Sequence, residues 1–353
     1  MENFSKSVHQ FFSYKLNNGK LLDKIFLITH MDNEDFPNES SYGLQQLKNS
    51  NQIVTFQKHY IDPNLINDMD ILSSELEEFN PDVIIIENLS GNFKNISKLK
   101  SYLQNYNNPI IHINLDAYHY PKKRLSKILT QLLPHCDFIY TKAGDGNLNY
   151  LKRYSSAKFY WIPHPTFSSS IVKSDKNIQN QTISMFGNLW TSRYSSLLNF
   201  PGVNERVALA KKASELFGNQ FQLYGKNWDK VGLTSRECKL FEVSSEMQKY
   251  CLNIGWEHFY NYRYYFSDRP SISYSSRKIH ISNPFIGLEK IIPFHDDITA
   301  NNIEKIIEKS QLLIGKDSLR EKIEEELYVF SQEYFSEKFF ISYLIRRSID
   351  EYY

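Results

Sequence analysis

Two short stretches carry the residues best suited to hold an anion. Residues 182–190 read TISMFGNLW, an apolar strand over 182–186 that runs into Gly187-Asn188, with Arg193 six residues past the glycine. Residues 221–228 read FQLYGKNW, a second strand over 221–224 (ending in Tyr224) that runs into Gly225-Lys226. A glycine lets the backbone approach a phosphate closely, and Arg or Lys neutralises its charge. Strands that end this way fit the carboxyl edge of a parallel sheet, where open α/β folds bind ligands. The same glycines would equally serve ordinary tight turns.

Groups able to move a proton cluster at expected strand ends in the first half: His30, Asp32, Glu87, Asn88, Asp116, His119 and His164. Asp116 and His119 both follow an apolar run at 109–115, which puts them on the edge where a hydroxyl could be deprotonated. His30 follows the run KIFLIT; a histidine there is also a common satisfied polar side chain. No metal site is expected. The three cysteines (Cys136, Cys238, Cys251) are far apart, no Cys/His ligand spacing occurs, and no strand-flanked DxD is present. Asp296-Asp297 reads as the start of a helix.

The elements that must position these groups follow from apolar periodicity. Strands are predicted over 24–29, 52–56, 82–87, 109–115, 138–141 and 159–162, with helices over 42–48, 65–79, 96–103, 125–133 and 147–154 between them. This βα alternation calls for a parallel sheet covered on both faces. The pattern breaks at 166–181, a polar, Ser-rich stretch read as a linker. A second series follows: strands at 182–186, 221–224, 252–256, 278–282 and 291–294, helices at 205–217 and 244–250, a helix opened by 283–289 (NPFIGLE), and helices at 302–314, 318–330 and 333–349. Residues 257–277 are unusually aromatic and could stack on a ring, although packing beneath a long loop is the commoner use.

Bulk properties narrow the classes. A chain of 353 residues with 41% hydrophobic content supports two domains. The net charge of +1 gives no electrostatic case for nucleic acid. No apolar run approaches the roughly 20 residues of a membrane span, and the N-terminus has no signal-peptide core. A soluble, cytoplasmic protein is expected, and the sequons at Asn38, Asn88 and Asn95 are read as chance. The segment FFISYLIRRS has an apolar face that could touch a membrane surface, and helical core is the alternative.

Several features in order resemble one family. They are FGN…R at Phe186–Arg193, LYGKNW at Leu223–Trp228, Glu246-Met247, Leu252-Asn253, Asp268-Arg269, KIHISN, and Gly287-Leu288-Glu289. In the first half, CDFIYT from Cys136 and WIPHP add to them. Together they resemble GT-B glycosyltransferases, most closely the CgeB-like, "glycosyl transferases group 1" branch. The resemblance spans most of the chain, and the order of the motifs carries it.

The resemblance implies an α/β, GT-B architecture: two Rossmann-like parallel-sheet domains facing across a cleft, with C-terminal helices crossing back to the first. The corresponding boundaries are 1–165 for an acceptor-side domain, 166–181 for the linker, 182–332 for the nucleotide-sugar domain and 333–353 for the returning helix. It implies transfer of a hexosyl-type sugar from a nucleotide-sugar, UDP- or GDP-linked, to a hydroxyl of a glycan or lipid-linked glycan. Bacterial surface polysaccharide or glycoconjugate synthesis is the expected setting. No cofactor or metal is implied, because protein cations and helix N-termini stabilise the leaving diphosphate.

Arg193 and Lys226 then become diphosphate contacts, with Gly187, Asn188, Tyr224 and Gly225 around them. Gly287, Leu288 and Glu289 join the donor-binding set: backbone N–H groups at Ile286–Leu288 could face a phosphate, the alternative being a plain helix-start loop with Glu289 on its surface. Asp116, His119 and His30 become the acceptor-side catalytic candidates, as a base if the reaction inverts or as a polar group against the sugar if it retains. The family's ribose-holding glutamate should follow the arginine at Arg269, but Pro270-Ser271-Ile272-Ser273 stands there. Ser271, Ser273 or Asp268 could replace it. That departure keeps alternatives open: a GT-B-like partner subunit without donor binding, or another GT-B enzyme such as an epimerase or polyol-phosphate transferase.

Overall fold

Runs of four or five consecutive apolar residues become the central strands of parallel sheets, because such strands are covered on both faces. A computed structural model describes residues 2–17, 19–30, 39–118, 123–166, 182–190, 200–239 and 242–353. The described chain divides into two compact units, residues 1–163 with 337–353, and residues 164–336. Of the positions singled out from sequence, Asp32, His119, Arg193 and most of the expected linker (167–181) lie outside the described residues.

The first unit contains β1 (Leu22–Thr29), β2 (Ile53–Tyr60), β3 (Ile66–Asp68), β4 (Val83–Ile86), β5 (Asn92–Lys94), β6 (Ile110–Asn114), β7 (Phe138–Thr141) and β8 (Lys158–Trp161). Its helices are α1 (Glu2–Ser13), α2 (Glu39–Asn49), α3 (Met69–Phe79), α4 (Ile96–Gln104), α5 (Lys127–Leu132) and α6 (Asp145–Leu151). The main sheet is parallel, in the order β2-β1-β4-β6-β7-β8. β4 and β6 are buried along their whole length.

The second unit contains β9 (Ile183–Phe186), β10 (Phe221–Tyr224), β11 (Leu252–Ile254) and β12 (His280–Ile281), parallel in the order β10-β9-β11-β12. Around them lie α7 (Val203–Phe217), α8 (Val243–Gln248), α9 (Asp268–Ser275), α10 (His295–Ile298), α11 (Ile303–Ile314) and α12 (Asp317–Tyr334).

The last helix, α13 (Glu337–Tyr352), belongs to the first unit. Gly43 of α2 meets it so closely that a Cβ there would lie 2.7 Å from the Glu337 carbonyl oxygen. Phe11 of α1 touches Phe339 and Tyr343 at ring distances of 5.3 and 4.9 Å, and the Tyr140 hydroxyl bonds Leu344 O and Ser348 Oγ. The apolar face considered for a membrane surface is therefore core. Among the described residues no helix is long and apolar enough to cross a membrane.

Four expectations are corrected. The helix expected from residue 65 starts at Met69: Leu65 and Ile66 are exposed, residues 66–68 pair with β5, and the Asp68 side chain accepts from Asp70 N. Residues 291–294 form no strand, since Ile291 N and Ile292 N both donate to Leu288 O in local turns. NPFIGLE opens no helix; Gly287 has φ +91° and Leu288 N closes a turn onto Phe285 O. Residues 268–275 form α9, which the aromatic reading of 257–277 missed. The signal was Ser267 followed by Pro270, an N-cap residue type and a proline in the first turn.

Two histidines lie inside these sheets, His112 on β6 and His280 on β12, and burial lowers each to about 4. Unfolding lets each protonate near 6.5, so stability falls as pH drops from about 6.5 towards 4. Glu324, which burial raises to about 7, acts in the opposite sense, because it holds its proton in the folded state over the same range. Two histidines outweigh one glutamate, giving a net loss of roughly 2 kcal/mol between pH 7 and pH 5. Urea unfolding at the two pH values measures it; equal stabilities would contradict the assignment.

Candidate functional site

In the second unit the strand order reverses between β9 and β11, the place where open α/β sheets bind ligands. The Gly187 and Gly225 turns are pressed together there, with φ of +140° and +126°. A Cβ on Gly225 would lie 2.3 Å from Gly187 O. Gly187 N donates to Tyr224 O, Leu189 N to Lys226 O, Lys226 N to the Asn188 side chain, and Gly225 N to Arg236 O, at 2.8–3.0 Å. Three of these bonds join the two neighbouring strand ends, whose glycines are the ones expected to let the backbone approach a phosphate, and Trp228 Nε1 locks the pair by donating to Gly187 O at 2.8 Å.

At the reversal itself stands Arg206, from the first turn of α7. It is almost fully buried. Its Nε donates to Trp256 O at 2.9 Å and its Nη1 to Asn188 O at 3.1 Å, so one guanidinium ties the loop after β9 to the loop after β11. Nη1 also lies 2.5 Å from His258 Nε2. A Cβ on Gly187 would fall 2.6 Å from Nη2, so only glycine leaves this cation room.

Beside it, Arg269 Nη2 bonds the fully buried Glu257 at 3.0 Å, and His280 Nε2 approaches the other oxygen of that carboxylate at 3.9 Å. Burial and the neighbouring Arg269 pull Arg206 down to about 9. Burial opposes ionisation of Glu257, but Arg269, His280 and Arg206 outweigh it and hold the carboxyl below its usual range. Two guanidinium groups thus face one buried carboxylate beside a neutral imidazole, and the partly exposed Asp268 beside Arg269 brings the formal charge of the group to zero. Among the described residues, Arg206 Nη2, Arg269 Nε, Glu257 Oε1 and both His280 nitrogens have no hydrogen-bond partner.

The other donor-side candidates divide sharply. Tyr224 is core: its ring stacks on Phe186 at 4.4 Å and its hydroxyl bonds Glu246 and Tyr250. Ser271 and Ser273 face inward, donating to His164 O at 2.8 Å and Lys278 O at 3.0 Å, so neither is turned towards a ribose. Buried α9 residues cannot present hydroxyls outward. Asp268 stays partly exposed, 3.8 Å from Arg269. Lys226 is exposed and 3.4 Å from Glu237. Gly287 N is taken by the Glu289 carboxylate at 2.9 Å, and Leu288 is buried with its N–H in a turn, so this segment offers no open amide cradle. The aromatic run from Trp256 to Phe266 packs against itself and is mostly buried.

The first unit has its own reversal, between β1 and β4. His30 follows β1, Glu87 and Asn88 follow β4, and Asp116 follows β6. Burial lowers the His30 pKa, while Asp116 and a hydrogen bond donated to the Asn88 backbone raise it; burial wins, so the ring is neutral at pH 7. Asp116 is half exposed and 2.8 Å from Lys123. A buried network fixes its loop: Asn114 and Asn147 both donate to Thr141 Oγ1, and Tyr118 N donates to Asn147 Oδ1. His164 belongs to the second unit.

Sequence reading missed Arg206, Glu257 and His280. Arg206 sits in an ordinary amphipathic helix. Glu257 had a signal, an acid directly after the apolar strand LNIGW, as Glu87 has after VIII. Among the described residues, no group of three or more His, Cys, Asp or Glu side chains could hold a metal ion.

No protein-family model matches this chain, and no curated protein matches it. Solved structures do. The T4 phage β-glucosyltransferase in complex with its UDP-glucose substrate is 12% identical, with a TM-score of 0.55 over 93% of this chain and 99% of that one. A glycosyltransferase from Rickettsia africae is 11% identical, with a TM-score of 0.52 over 94% and 97%. The trehalose-6-phosphate synthase of Burkholderia multivorans is 9% identical, with a TM-score of 0.54 over 94% and 99%. These likenesses run through both units and show the architecture: the chain has the GT-B glycosyltransferase fold, with two Rossmann-like parallel-sheet units.

Proposed function

We propose that the protein is a glycosyltransferase that moves a sugar from a nucleotide-sugar to a hydroxyl of a glycan or lipid-linked glycan. The observation that carries this reading is the Arg206–Glu257–Arg269 cluster at the strand-order reversal of the second unit. It sets two guanidinium groups, one of them almost fully buried, at the ligand-binding edge of a GT-B fold, where they fix the loops that would meet a diphosphate. The nucleotide is UDP or GDP; the UDP-glucose bound by the T4 phage enzyme favours UDP. Arg193 and the exposed Lys226 are the cations that neutralise the leaving diphosphate, so the reaction needs no metal. Arg206 and Arg269 act as positioning residues. Asp116 takes the acceptor proton, with His30 and His119 as the alternative catalytic groups. The order of motifs supports the CgeB-like branch and a role in bacterial surface polysaccharide synthesis in the cytoplasm.

A panel of UDP-, GDP-, dTDP- and CMP-sugars tests the reading: release of one nucleoside diphosphate, dependent on acceptor, is expected. Arg193→Ala should weaken UDP binding by about ten- to a hundredfold, the loss of one charge-assisted contact; unchanged affinity would remove Arg193 from the site. The inward turn of Ser271 and Ser273 favours one competing reading, a GT-B-like partner subunit without donor binding. A folded protein that binds no nucleotide would establish that reading instead. Conversion of the donor without acceptor would point to an epimerase.

A further inference from the structure

A second site lies on the opposite edge of the first unit's sheet. The ends of α3 and α4, with the turns leading into β4 and β6, enclose a groove of about 510 Å³. That volume is within the range of small-molecule sites. We propose that this groove binds a neutral saccharide, holding a glycan chain away from the reacting edge.

Three features of the lining select that chemistry. Asn80, Asn105 and Asn107 are exposed and line the groove. A carboxamide donates and accepts side by side, which suits neighbouring hydroxyls on a sugar ring; Asn105 Nδ2 also donates to Ser101 O at 2.9 Å, which holds that side chain in place and leaves its oxygen and second N–H to a ligand. Tyr102 and Tyr106 stack on one another at 5.7 Å with 29° between their planes. Their hydroxyls are tied down, to Leu76 O at 3.2 Å and Pro81 O at 2.8 Å, so the rings are fixed and act as an apolar platform for C–H groups. The only charged lining residues, Glu77 and Lys98, pair with each other at 3.2 Å. With no net charge the groove has nothing to hold a phosphate or a nucleotide. Amides, aromatic rings and zero charge together fit a polyhydroxylated ring with one apolar face. Tyr353 adds another exposed aromatic at the margin, its hydroxyl donating to Asn108 Oδ1 at 2.9 Å.

The groove is separate from the proposed acceptor edge. Asn80 precedes β4 and Asn107 precedes β6, whereas Glu87 and Asp116 follow those strands. At about 3.3 Å per residue, strands of this length put the two edges roughly 15 Å apart. The inference therefore does not depend on glycosyl transfer: a GT-B-like binding subunit would show the same site.

Titration calorimetry on the intact chain tests it, using short oligomers of glucose, galactose and N-acetylglucosamine, with and without saturating UDP. At least one oligomer should bind, with affinity unaltered by UDP. An Asn105→Ala/Asn107→Ala variant, changed only at exposed side chains, should bind about tenfold more weakly. Circular dichroism checks that its fold is unchanged, and Asn107→Ala alone serves if the double variant fails to fold. The proposal is overturned if no oligomer binds, if the variant binds as well as the parent, or if UDP displaces the oligomer.

Discussion

Asp116→Asn should lower turnover by about two to four orders of magnitude, the usual contribution of a positioned general base, while UDP affinity stays unchanged. The carboxylate sits at the end of β6, half exposed, on a loop pinned by the buried Asn114–Thr141–Asn147 network. The amide keeps the shape of the side chain but cannot accept a proton. Lys123, 2.8 Å away, would then lose its anionic partner; at an exposed position that costs little stability, because surface ion pairs contribute about 0–1 kcal/mol. Steady-state rates with saturating donor, beside calorimetric UDP affinity, separate the effects. A rate within a few-fold of the parent would move the base to His30 or His119. A parallel fall in rate and affinity would mean that the loop, not the proton transfer, had been damaged.

Glu257→Gln should cost the second unit about 3–5 kcal/mol, the penalty for breaking a buried ion pair from one side. Glu257 is fully buried, and Arg269 bonds it at 3.0 Å with Arg206 close behind. Without the carboxylate two guanidinium groups repel each other in a site that is largely buried. Removing the negative charge also undoes the positioning of the loops after β9 and β11, which Arg206 joins through Asn188 O and Trp256 O. Glu289→Gln is the matched control. Its carboxylate is exposed and bonds only the Gly287 amide among its described contacts, so a change below about 1 kcal/mol is expected. Denaturant unfolding of both variants gives the comparison. Equal stabilities would show that the cluster is not the electrostatic centre of the unit.

The parallel sheets were legible because burial on both faces leaves an unmistakable pattern. VIII at 83–86, IIHIN at 110–114 and ISMF at 183–186 all became central strands. The two glycine turns and the edge they occupy were legible for the same reason. What those glycines do was not. A Gly-cation pair after a strand looks the same whether its amides face a phosphate or, as at Gly187 and Gly225, backbone carbonyls of the neighbouring segments. Ser271 and Ser273 misled because side-chain direction on α9 depends on the helix itself, and that helix was hidden within an aromatic run whose rings turned out to be core. Arg206 was invisible, and the signal at Glu257 was passed over, for a complementary reason. Charged residues on a helix and after a strand are ordinarily surface, and only the packing of α7 and α9 against the strand ends buries these two.

The claim that the second unit holds a nucleotide-sugar is tested most directly by calorimetric titration of the folded protein with UDP and GDP, each with and without its sugar. One nucleotide should bind, its sugar conjugate should bind competitively with it, and Arg193→Ala should weaken both by about ten- to a hundredfold. A folded protein that takes up neither nucleotide would contradict the account and leave a GT-B fold that serves another purpose.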